Sequence, residues 1–267
     1  MTETPPNRAD QQVAQLRSAE PETSGSSMRI NLEGGRLESL VLNGQELLFS
    51  GTRIDGGTGS THLCSPNFGP DKVGFGLPNH GPGRDKKTKW TVIKDEPEHV
   101  IQSYVIGSGE VSAGNYPSGM EIIQDYKLVD GGLKIITTHT NNGDTEAPVN
   151  SAMHFYWATL LGLGEGDKGW EGVKVNGIDV SDKIKEDTAL PWKDENIIEI
   201  PGRSPILVKQ KGLPYFQCWT AEKDGEFDRK FAALEPAEGP EKRFGTPESM
   251  IKPGDSRTTE IFVQVQV

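Results

Sequence analysis

The chain ends in Thr258-Thr-Glu-Ile-Phe-Val-Gln-Val-Gln-Val267, a stretch in which two sets of side chains alternate. Thr259 and every second residue to Val267 form one set, and the intervening residues are mostly polar. Side chains two positions apart point to the same face of a β-strand. The pattern therefore predicts a half-buried antiparallel strand, with one face packed on the core and the other toward solvent.

Short apolar runs of the same kind recur along the rest of the chain. The predicted strands cover residues 28–32, 37–42, 46–49, 90–94, 100–106, 119–129, 132–140, 149–161, 173–175, 197–200, 215–220 and 230–234. Asn43-Gly44 between two of these runs predicts a hairpin. Apart from residues 11–19, no segment has convincing helical periodicity, and no βαβ alternation occurs. The sequence thus predicts an all-β protein built as one large antiparallel β-sandwich.

Composition and charge exclude several classes of protein. Among 267 residues, 39 are acidic and 28 basic, which gives a formal net charge of −11. This balance argues against nucleic-acid binding and against docking on anionic lipid, because both require a basic face. It does not exclude a small anionic ligand held by local arginines. The 32 glycines and 18 prolines disfavour a helical fold, since both residues are poor in helix interiors.

The chain divides into a polar start and one large domain. Residues 1–27 are polar and carry three prolines, which predicts a mobile tail without the apolar region of a signal peptide. Residues 28–267 are predicted to form a single domain. No apolar run reaches the length of a membrane span. The only cysteines, Cys64 and Cys218, indicate a reducing, cytoplasmic setting. Residues 50–89 are rich in glycine and proline and are predicted to be a functional loop.

The five histidines differ in the chemistry that their surroundings allow. His99 is predicted to lie at the surface and His139 to be structural. His80 lies four residues before Arg84 in a glycine- and proline-rich loop, where both side chains could converge on one oxygen-rich ligand. His154 lies between aromatic residues on a predicted strand, as a core residue or as a contact for a sugar ring. The potential ligands His62, Cys64 and His80 do not have the close pairwise spacing of a metal site, so no metal is predicted.

Glu235 is a candidate general base. It follows the apolar run 231–234, and Pro236 is predicted to end the strand directly after it. A carboxylate that is buried at such a strand end has a raised pKa and can accept a proton near neutral pH. The alternative is a strand-end glutamate that faces solvent.

Three separated segments resemble the aldose 1-epimerases (galactose mutarotases), especially their hexose-6-phosphate mutarotase-like branch. The resemblance covers about residues 28–267. Its motifs are Gly57-Thr-Gly-Ser-Thr-His-Leu-Cys-Ser-Pro-Asn-Phe-Gly-Pro70 with Asn79-His-Gly-Pro-Gly-Arg84 and Trp90, then Asn141-Asn142 and His154-Phe-Tyr-Trp157, then Trp219-Thr220, Leu234-Glu-Pro236 and Ile251-Lys-Pro-Gly-Asp255. The resemblance implies a galactose mutarotase-like supersandwich and an isomerase that interconverts the anomers of a hexose or hexose 6-phosphate.

The resemblance also implies a role for each matched residue. Glu235 matches the general base and His154 the general acid. His80 matches the histidine that orients the sugar, and Arg84 matches the arginine that binds hydroxyls or an anionic group. Arg53 resembles an upstream arginine in the same role. The implied reaction needs no cofactor or metal, and the implied partner is a small sugar or sugar phosphate, bound by a monomer.

The sequence departs from the family at one acidic position. The family's Asp-Arg-x-Tyr pattern, which supplies an acidic sugar-binding residue, is not found here. Asp182, Asp187 and Asp194 are candidates for that residue. The departure leaves open a non-catalytic carbohydrate-binding protein on the same fold. An auxiliary sandwich of a larger carbohydrate-active system is a third possibility.

Overall fold

The structure, a computed structural model, describes residues 25–107, 114–129, 131–159 and 169–266. Most of the predicted tail, with its candidate helix at residues 11–19, lies outside the described residues. Ser27 already belongs to the first strand, one residue before the predicted start of the domain. In the described ranges, no helix is long and apolar enough to cross a membrane.

Strands account for most of the described chain. They are β1 (Ser27–Asn31), β2 (Arg36–Leu42), β3 (Gln45–Glu46), β4 (Gly51–Thr52), β5 (Thr58–Gly59), β6 (His62–Cys64), β7 (Thr91–Glu96), β8 (His99–Ile106), β9 (Met120–Val129), β10 (Gly132–Asn141), β11 (Ala147–Pro148), β12 (Ala152–His154), β13 (Tyr156–Ala158), β14 (Lys174–Val175), β15 (Ile178–Asp179), β16 (Thr188–Pro191), β17 (Glu195–Glu199), β18 (Ile206–Lys211), β19 (Tyr215–Trp219), β20 (Glu222–Lys223), β21 (Glu226–Phe227), β22 (Phe231–Ala237), β23 (Met250–Ile251) and β24 (Ser256–Val265). The helical elements are α1 (Ser181–Lys185) and the 3₁₀ turns Pro82–Arg84, Glu241–Arg243 and Pro247–Ser249.

Two large sheets make up the framework of the described residues. The first has nine strands in the order β15-β14-β17-β18-β24-β10-β9-β8-β7, and the second has β16-β19-β22-β12-β6, with β13 also paired to β22. Every pairing between named strands is antiparallel. The predicted all-β, antiparallel sandwich is therefore confirmed.

The alternating patterns form the centre of the nine-stranded sheet. In β24, Thr259, Ile261, Val263 and Val265 are buried, while the residues between them are half-buried. Strand β10 pairs with β24 on one side and with β9 on the other, and both partners alternate in the same way. The predicted Asn43-Gly44 hairpin joins β2 to β3, with both residues at positive φ.

A split in the six-stranded sheet positions Glu235. Strand β22 pairs with β13 up to Ala233 and with β12 only at Ala237, so Glu235 and Pro236 lie opposite the break between β12 and β13. The prediction that Pro236 ends the strand is wrong, because β22 continues to Ala237. Neither β12 nor β13 pairs with Pro236 at this break. The proline therefore does not interrupt a ladder of hydrogen bonds on that side, although it has no backbone N–H.

Other local predictions also need correction. The helix α1 was not expected, and strand β18 was missed although it lies between β17 and β24. The region 50–89 is not entirely loop, since it contains β4, β5 and β6. The predicted strand 149–161 is divided into β12 and β13 at Phe155.

Candidate active site

A cleft with a volume of about 290 Å³ lies over the six-stranded sheet. It brings together all five site residues predicted from the sequence. Its lining residues are Arg53, Phe68, Pro70, Asn79, His80, Arg84, His154, Asp187, Gln217, Trp219, Glu235 and Glu241. A larger open groove of about 920 Å³ lies beside Lys87, Lys89 and Tyr104, but its described lining includes no histidine.

Glu235 and His154 form a buried pair in this cleft. Glu235 Oε1 lies 3.3 Å from His154 Nε2, and the two side chains are 2% and 4% exposed. The other polar atoms, Glu235 Oε2 and His154 Nδ1, have no hydrogen-bond partner among the described residues. Buried polar atoms are normally paired. Their lack of partners therefore suits a site that a polar ligand completes.

Burial moves the two pKa values in opposite directions. It raises the pKa of Glu235 well above its usual range, and the Asp187 carboxylate raises it further. Burial also lowers the pKa of His154, and the positive charges of Arg84 and Arg53 lower it further. Both shifts favour the neutral form of each group, so the pair holds one proton rather than two opposite charges. This is the arrangement that proton transfer to and from a substrate requires.

The loop that carries His80 fixes both its direction and its tautomer. His80 has a φ of 63°, and its Nδ1 accepts a hydrogen bond from the Gly69 N–H at 3.0 Å. Burial and the nearby Arg84 and Arg53 lower the His80 pKa to about 3, so the ring is neutral at pH 7. Because Nδ1 is an acceptor, the proton lies on Nε2, which can donate to a ligand.

Arg84 ends the 3₁₀ turn that follows His80, and His62 contacts its guanidinium. His62 Nε2 lies 3.2 Å from Arg84 Nη1. His62 is fully buried on β6, directly opposite His154 on β12. Sequence reasoning considered His62 only as a metal ligand and missed its contact with Arg84, because the packing of a strand against a loop leaves no local signal.

Arg53 and two aromatic residues form the wall beside His154. Arg53 Nη1 donates to the Tyr156 hydroxyl at 3.1 Å, and its guanidinium lies 5.2 Å from the Trp219 ring centre. The Tyr156 ring stacks on His154 at 4.5 Å. Trp219 meets His154 edge-on and lines the cleft.

Asp187 is the one of the three candidate acidic residues that lies in the cleft. It accepts a hydrogen bond from Gln217 Nε2 at 2.5 Å, and burial raises its pKa. Asp182 is 87% exposed and faces Lys185, while Asp194 is exposed. Gln217, Glu241, Asn79 and Phe68 also line the cleft, and sequence reasoning assigned them no role.

The other two histidines have structural partners. His139 is fully buried and its Nε2 lies 2.8 Å from Ser65 Oγ. His99 is half-buried and contacts Asp125 at 2.8 Å. Among the described residues, no group of three or more His, Cys, Asp or Glu side chains is arranged to hold a metal ion.

Comparison with known proteins assigns the chain to a family. The sequence profile of the aldose 1-epimerase family matches residues 20–177, which is more than half of the chain. The chain belongs to the aldose 1-epimerase family. The matched region of this family member includes Arg53, His80, Arg84 and His154, whereas Glu235 lies beyond it. No curated protein sequence matches the chain significantly.

Solved structures share the fold of this aldose 1-epimerase family member. The Slr1438 protein from Synechocystis sp. PCC 6803 is 17% identical with a TM-score of 0.71, covering 100% of this chain and 99% of its own. A galactose mutarotase related enzyme from Lactobacillus acidophilus is 14% identical with a TM-score of 0.74, covering 94% and 97%. A galactose mutarotase-like protein from Lactobacillus casei is 15% identical with a TM-score of 0.71, covering 94% and 100%. At these identities the similarity establishes the galactose mutarotase-like sandwich.

Proposed function

We propose that the protein is an isomerase that interconverts the α and β anomers of a hexose or a hexose 6-phosphate. The observation that carries this proposal is the 3.3 Å contact between Glu235 and His154 in the cleft. A carboxyl group and an imidazole that share one proton are suited to general acid–base catalysis. Membership of the aldose 1-epimerase family supports the same class of reaction.

The proposed reaction transfers protons and breaks one C–O bond. Glu235 takes the proton from the C1 hydroxyl while His154 protonates the ring oxygen, so the C1–O5 bond breaks and an open-chain aldehyde forms. Rotation about C1–C2 presents the other face of the aldehyde to the hydroxyl at C5. His154 then takes back the proton from that hydroxyl, the ring closes, and Glu235 returns its proton to the C1 oxygen. No redox change or group transfer occurs, so the proposal includes no cofactor or metal.

The remaining cleft residues are proposed to bind and orient the sugar. His80 presents a fixed Nε2–H donor to a ring or hydroxyl oxygen, supported by its bond from Gly69. Asp187, held by Gln217, is proposed as the acidic hydroxyl-binding residue that the family motif left unassigned. Trp219 offers an aromatic face at the rim of the cleft, and Arg53 and Arg84 are proposed to bind hydroxyls or a phosphate group.

The charges around the cleft support an anionic form of the sugar. A second cavity of about 360 Å³ shares Arg53, Asn79 and Arg84 with the cleft and also includes Arg36 and Lys86. Arg36 is largely buried, and it lines this cavity together with Arg53, Arg84 and Lys86. Their positive charges would attract an oxyanion. This favours a hexose 6-phosphate over a neutral hexose.

The test is anomer exchange measured by polarimetry or by NMR on freshly dissolved α-D-glucose, α-D-galactose and glucose 6-phosphate. The wild-type protein is expected to accelerate exchange of at least one of them. The Glu235→Gln variant should lower kcat by about 10²- to 10⁴-fold, the usual contribution of one positioned acid–base group. Asp182→Asn, which removes an exposed carboxylate outside the cleft, is the matched control and should retain full activity.

Two results would contradict the proposal. An unchanged rate in folded Glu235→Gln would remove that residue from the mechanism. Sugar binding in a calorimeter without acceleration of any anomer exchange would instead select a non-catalytic carbohydrate-binding protein.

The proposal also covers how the protein is organised. We propose that residues 28–267 act as a single domain and that the protein is a cytoplasmic monomer. Cys64 and Cys218 are buried and unpaired, which suits a reducing compartment. Light scattering that gave a dimer would contradict the proposed monomer.

A further inference from the structure

His62 is a buried imidazole that the acid–base mechanism does not use. It lies on β6, is fully buried, and is paired in register with His154. Its ring centre lies 4.9 Å from that of His154, which also stacks on Tyr156. A leucine or a phenylalanine would fill the same space in a sheet. The polar contacts of the ring therefore need an explanation of their own.

The two nitrogen atoms of His62 have different partners, which fixes the tautomer. Nδ1 lies 2.7 Å from the Ser60 carbonyl oxygen, which can only accept, so Nδ1 carries the proton. Nε2 then holds a lone pair and accepts a hydrogen bond from Arg84 Nη1 at 3.2 Å. Burial and the nearby Arg84 and Arg36 keep the pKa of His62 well below its usual range. The ring is therefore a neutral acceptor at pH 7.

Arg84 is anchored by contacts that leave its charge uncompensated. Its carbonyl oxygen accepts a hydrogen bond from Arg36 Nη2 at 2.7 Å, and its guanidinium contacts the neutral His62 ring. In the part of the chain that the structure describes, no carboxylate forms a salt bridge with Arg84. A carboxylate partner would orient the guanidinium but would also neutralise it. A neutral imidazole orients it and leaves its full charge for a ligand.

We propose that His62 is a positioning residue that aims the Arg84 guanidinium into the cleft and thereby selects sugars that carry an anionic group. This inference rests on the proposed function and adds the residue that determines its preference for a charged substrate. His62 acts through Arg84 and does not touch the reacting atoms. Its loss should therefore weaken binding of the anionic group and leave the proton transfers at C1 and at the ring oxygen largely unchanged.

The kinetic test compares two substitutions of His62 on charged and neutral sugars. His62→Leu removes the acceptor and should raise KM for glucose 6-phosphate about 10-fold, the effect of losing one charge-assisted hydrogen bond. Its kcat for this substrate and its KM for glucose and galactose should stay within about threefold of wild type. His62→Gln places an amide oxygen within reach of Arg84 and should restore KM for glucose 6-phosphate to within about threefold of wild type.

Two kinetic outcomes would overturn the assignment. If His62→Leu and His62→Gln lost activity equally, and to the same extent on charged and on neutral sugars, His62 would only support the sheet. An unchanged KM for glucose 6-phosphate in a folded His62→Leu variant would show that it does not position Arg84.

A second measurement needs no turnover. Imidazole ¹⁵N NMR of the wild-type protein should show His62 protonated at Nδ1 and bare at Nε2 between pH 5 and 8. Titration with inorganic phosphate should shift the Nε2 signal in the wild type, and phosphate should bind about 10-fold more weakly to His62→Leu. A proton on Nε2, or equal phosphate affinity in both proteins, would overturn the inference. Absence of anomer exchange with the expected NMR result would overturn the proposed function alone.

Discussion

At the scale of single residues, the cleft contains both carboxylates and guanidinium groups. Asp187, Glu235 and Glu241 line it together with Arg53 and Arg84, which come from the loop region. The carboxylate of Asp187 raises the pKa of Glu235, while Arg84 opposes that increase. The proton affinity of the proposed base therefore depends on a residue that is also proposed to bind the sugar.

This dependence predicts a shift in the pH profile. If Glu235 must be ionised to act as a base, kcat/KM falls as the pH falls through its raised pKa. Asp187→Asn removes a negative charge nearby and lowers that pKa, so the acid limb should move to lower pH. Initial rates of anomer exchange between pH 4 and 9 would measure the shift.

The matched control for this profile is Asp182→Asn, because Asp182 is exposed and outside the cleft. Its acid limb should coincide with that of the wild type. An acid limb in Asp187→Asn that stays in place, or moves to higher pH, would mean that Asp187 does not tune Glu235.

Local sequence signals identified some site residues and not others. His80 and Arg84 stand out because glycine and proline surround them, and Glu235 stands out because it follows an apolar run. Asp187 could only be one candidate among three, since its place depends on how α1 and β16 turn toward β19. The contact of His62 with Arg84 depends on the packing of a strand against a loop, which no local pattern reports.

At the scale of elements, the loop before Arg84 depends on one glycine. Gly81 has a φ of 80°, and a Cβ there would overlap the Ser65 carbonyl oxygen. The loop therefore passes the residue that follows β6 at a distance that only glycine allows. Both His80 and Arg84 are placed by this close approach.

Gly81→Ala should destabilise the protein and weaken substrate binding. Backbone strain alone costs about 1–3 kcal/mol, and the steric overlap adds to it by displacing His80 and Arg84. Gly44→Ala is the matched control, because Gly44 has a φ of 75° but open space around its Cβ position. Urea unfolding and KM would be measured for both. A Gly81→Ala variant no less stable than Gly44→Ala would contradict the steric argument.

The segment that carries Glu241 is held by a buried ion cluster. Glu238 accepts hydrogen bonds from Ser151 at 3.0 Å, from Arg243 at 2.8 Å and from Arg257 at 2.9 Å. The Glu238 side chain is 2% exposed, so water has little access to the carboxylate that the two arginines bind. The cluster joins the end of β22 to the turn that lines the cleft and to β24.

Glu238→Gln should lower the free energy of unfolding by about 3–5 kcal/mol, because it leaves two guanidinium groups without their counter-charge. Glu186→Gln removes a carboxylate from an exposed pair with Lys183 and should cost much less, because a solvated ion pair contributes little to stability. Urea denaturation of the two variants at pH 7 provides the comparison. Equal losses would show that the buried cluster contributes no more than a surface pair.

At the scale of the whole molecule, the two sheets differ in how visible they are in the sequence. Strands β9, β10 and β24 alternate between buried and half-buried residues, so their period predicted them. In contrast, β6, β12 and β22 are buried at every position. A strand that is buried on both faces has no alternation to detect. The sheet that supports the cleft was consequently predicted less well than the sheet behind it.

Burial of neutral histidines makes the stability of the whole molecule depend on pH. Burial and the nearby Arg257 lower the pKa of His139 to about 3, whereas an unfolded histidine titrates near about 6.5. Between these values the unfolded chain binds a proton that the native state does not. Stability is therefore complete above about pH 6.5 and falls as the pH is lowered toward 3, by about 1.4 kcal/mol per pH unit for this residue.

His139→Gln should reduce this loss, because glutamine can still bond to Ser65 Oγ but takes up no proton. Between pH 7.5 and 5, its free energy of unfolding should change by about 2 kcal/mol less than that of the wild type. Ile135→Val, on the same buried face of β10, is the control and should cost about 0.5–1.5 kcal/mol equally at both pH values. Urea unfolding of the three proteins decides the matter. An unaltered pH dependence in His139→Gln would mean that this histidine is not held neutral by the fold, and that the acid sensitivity arises at the cleft histidines.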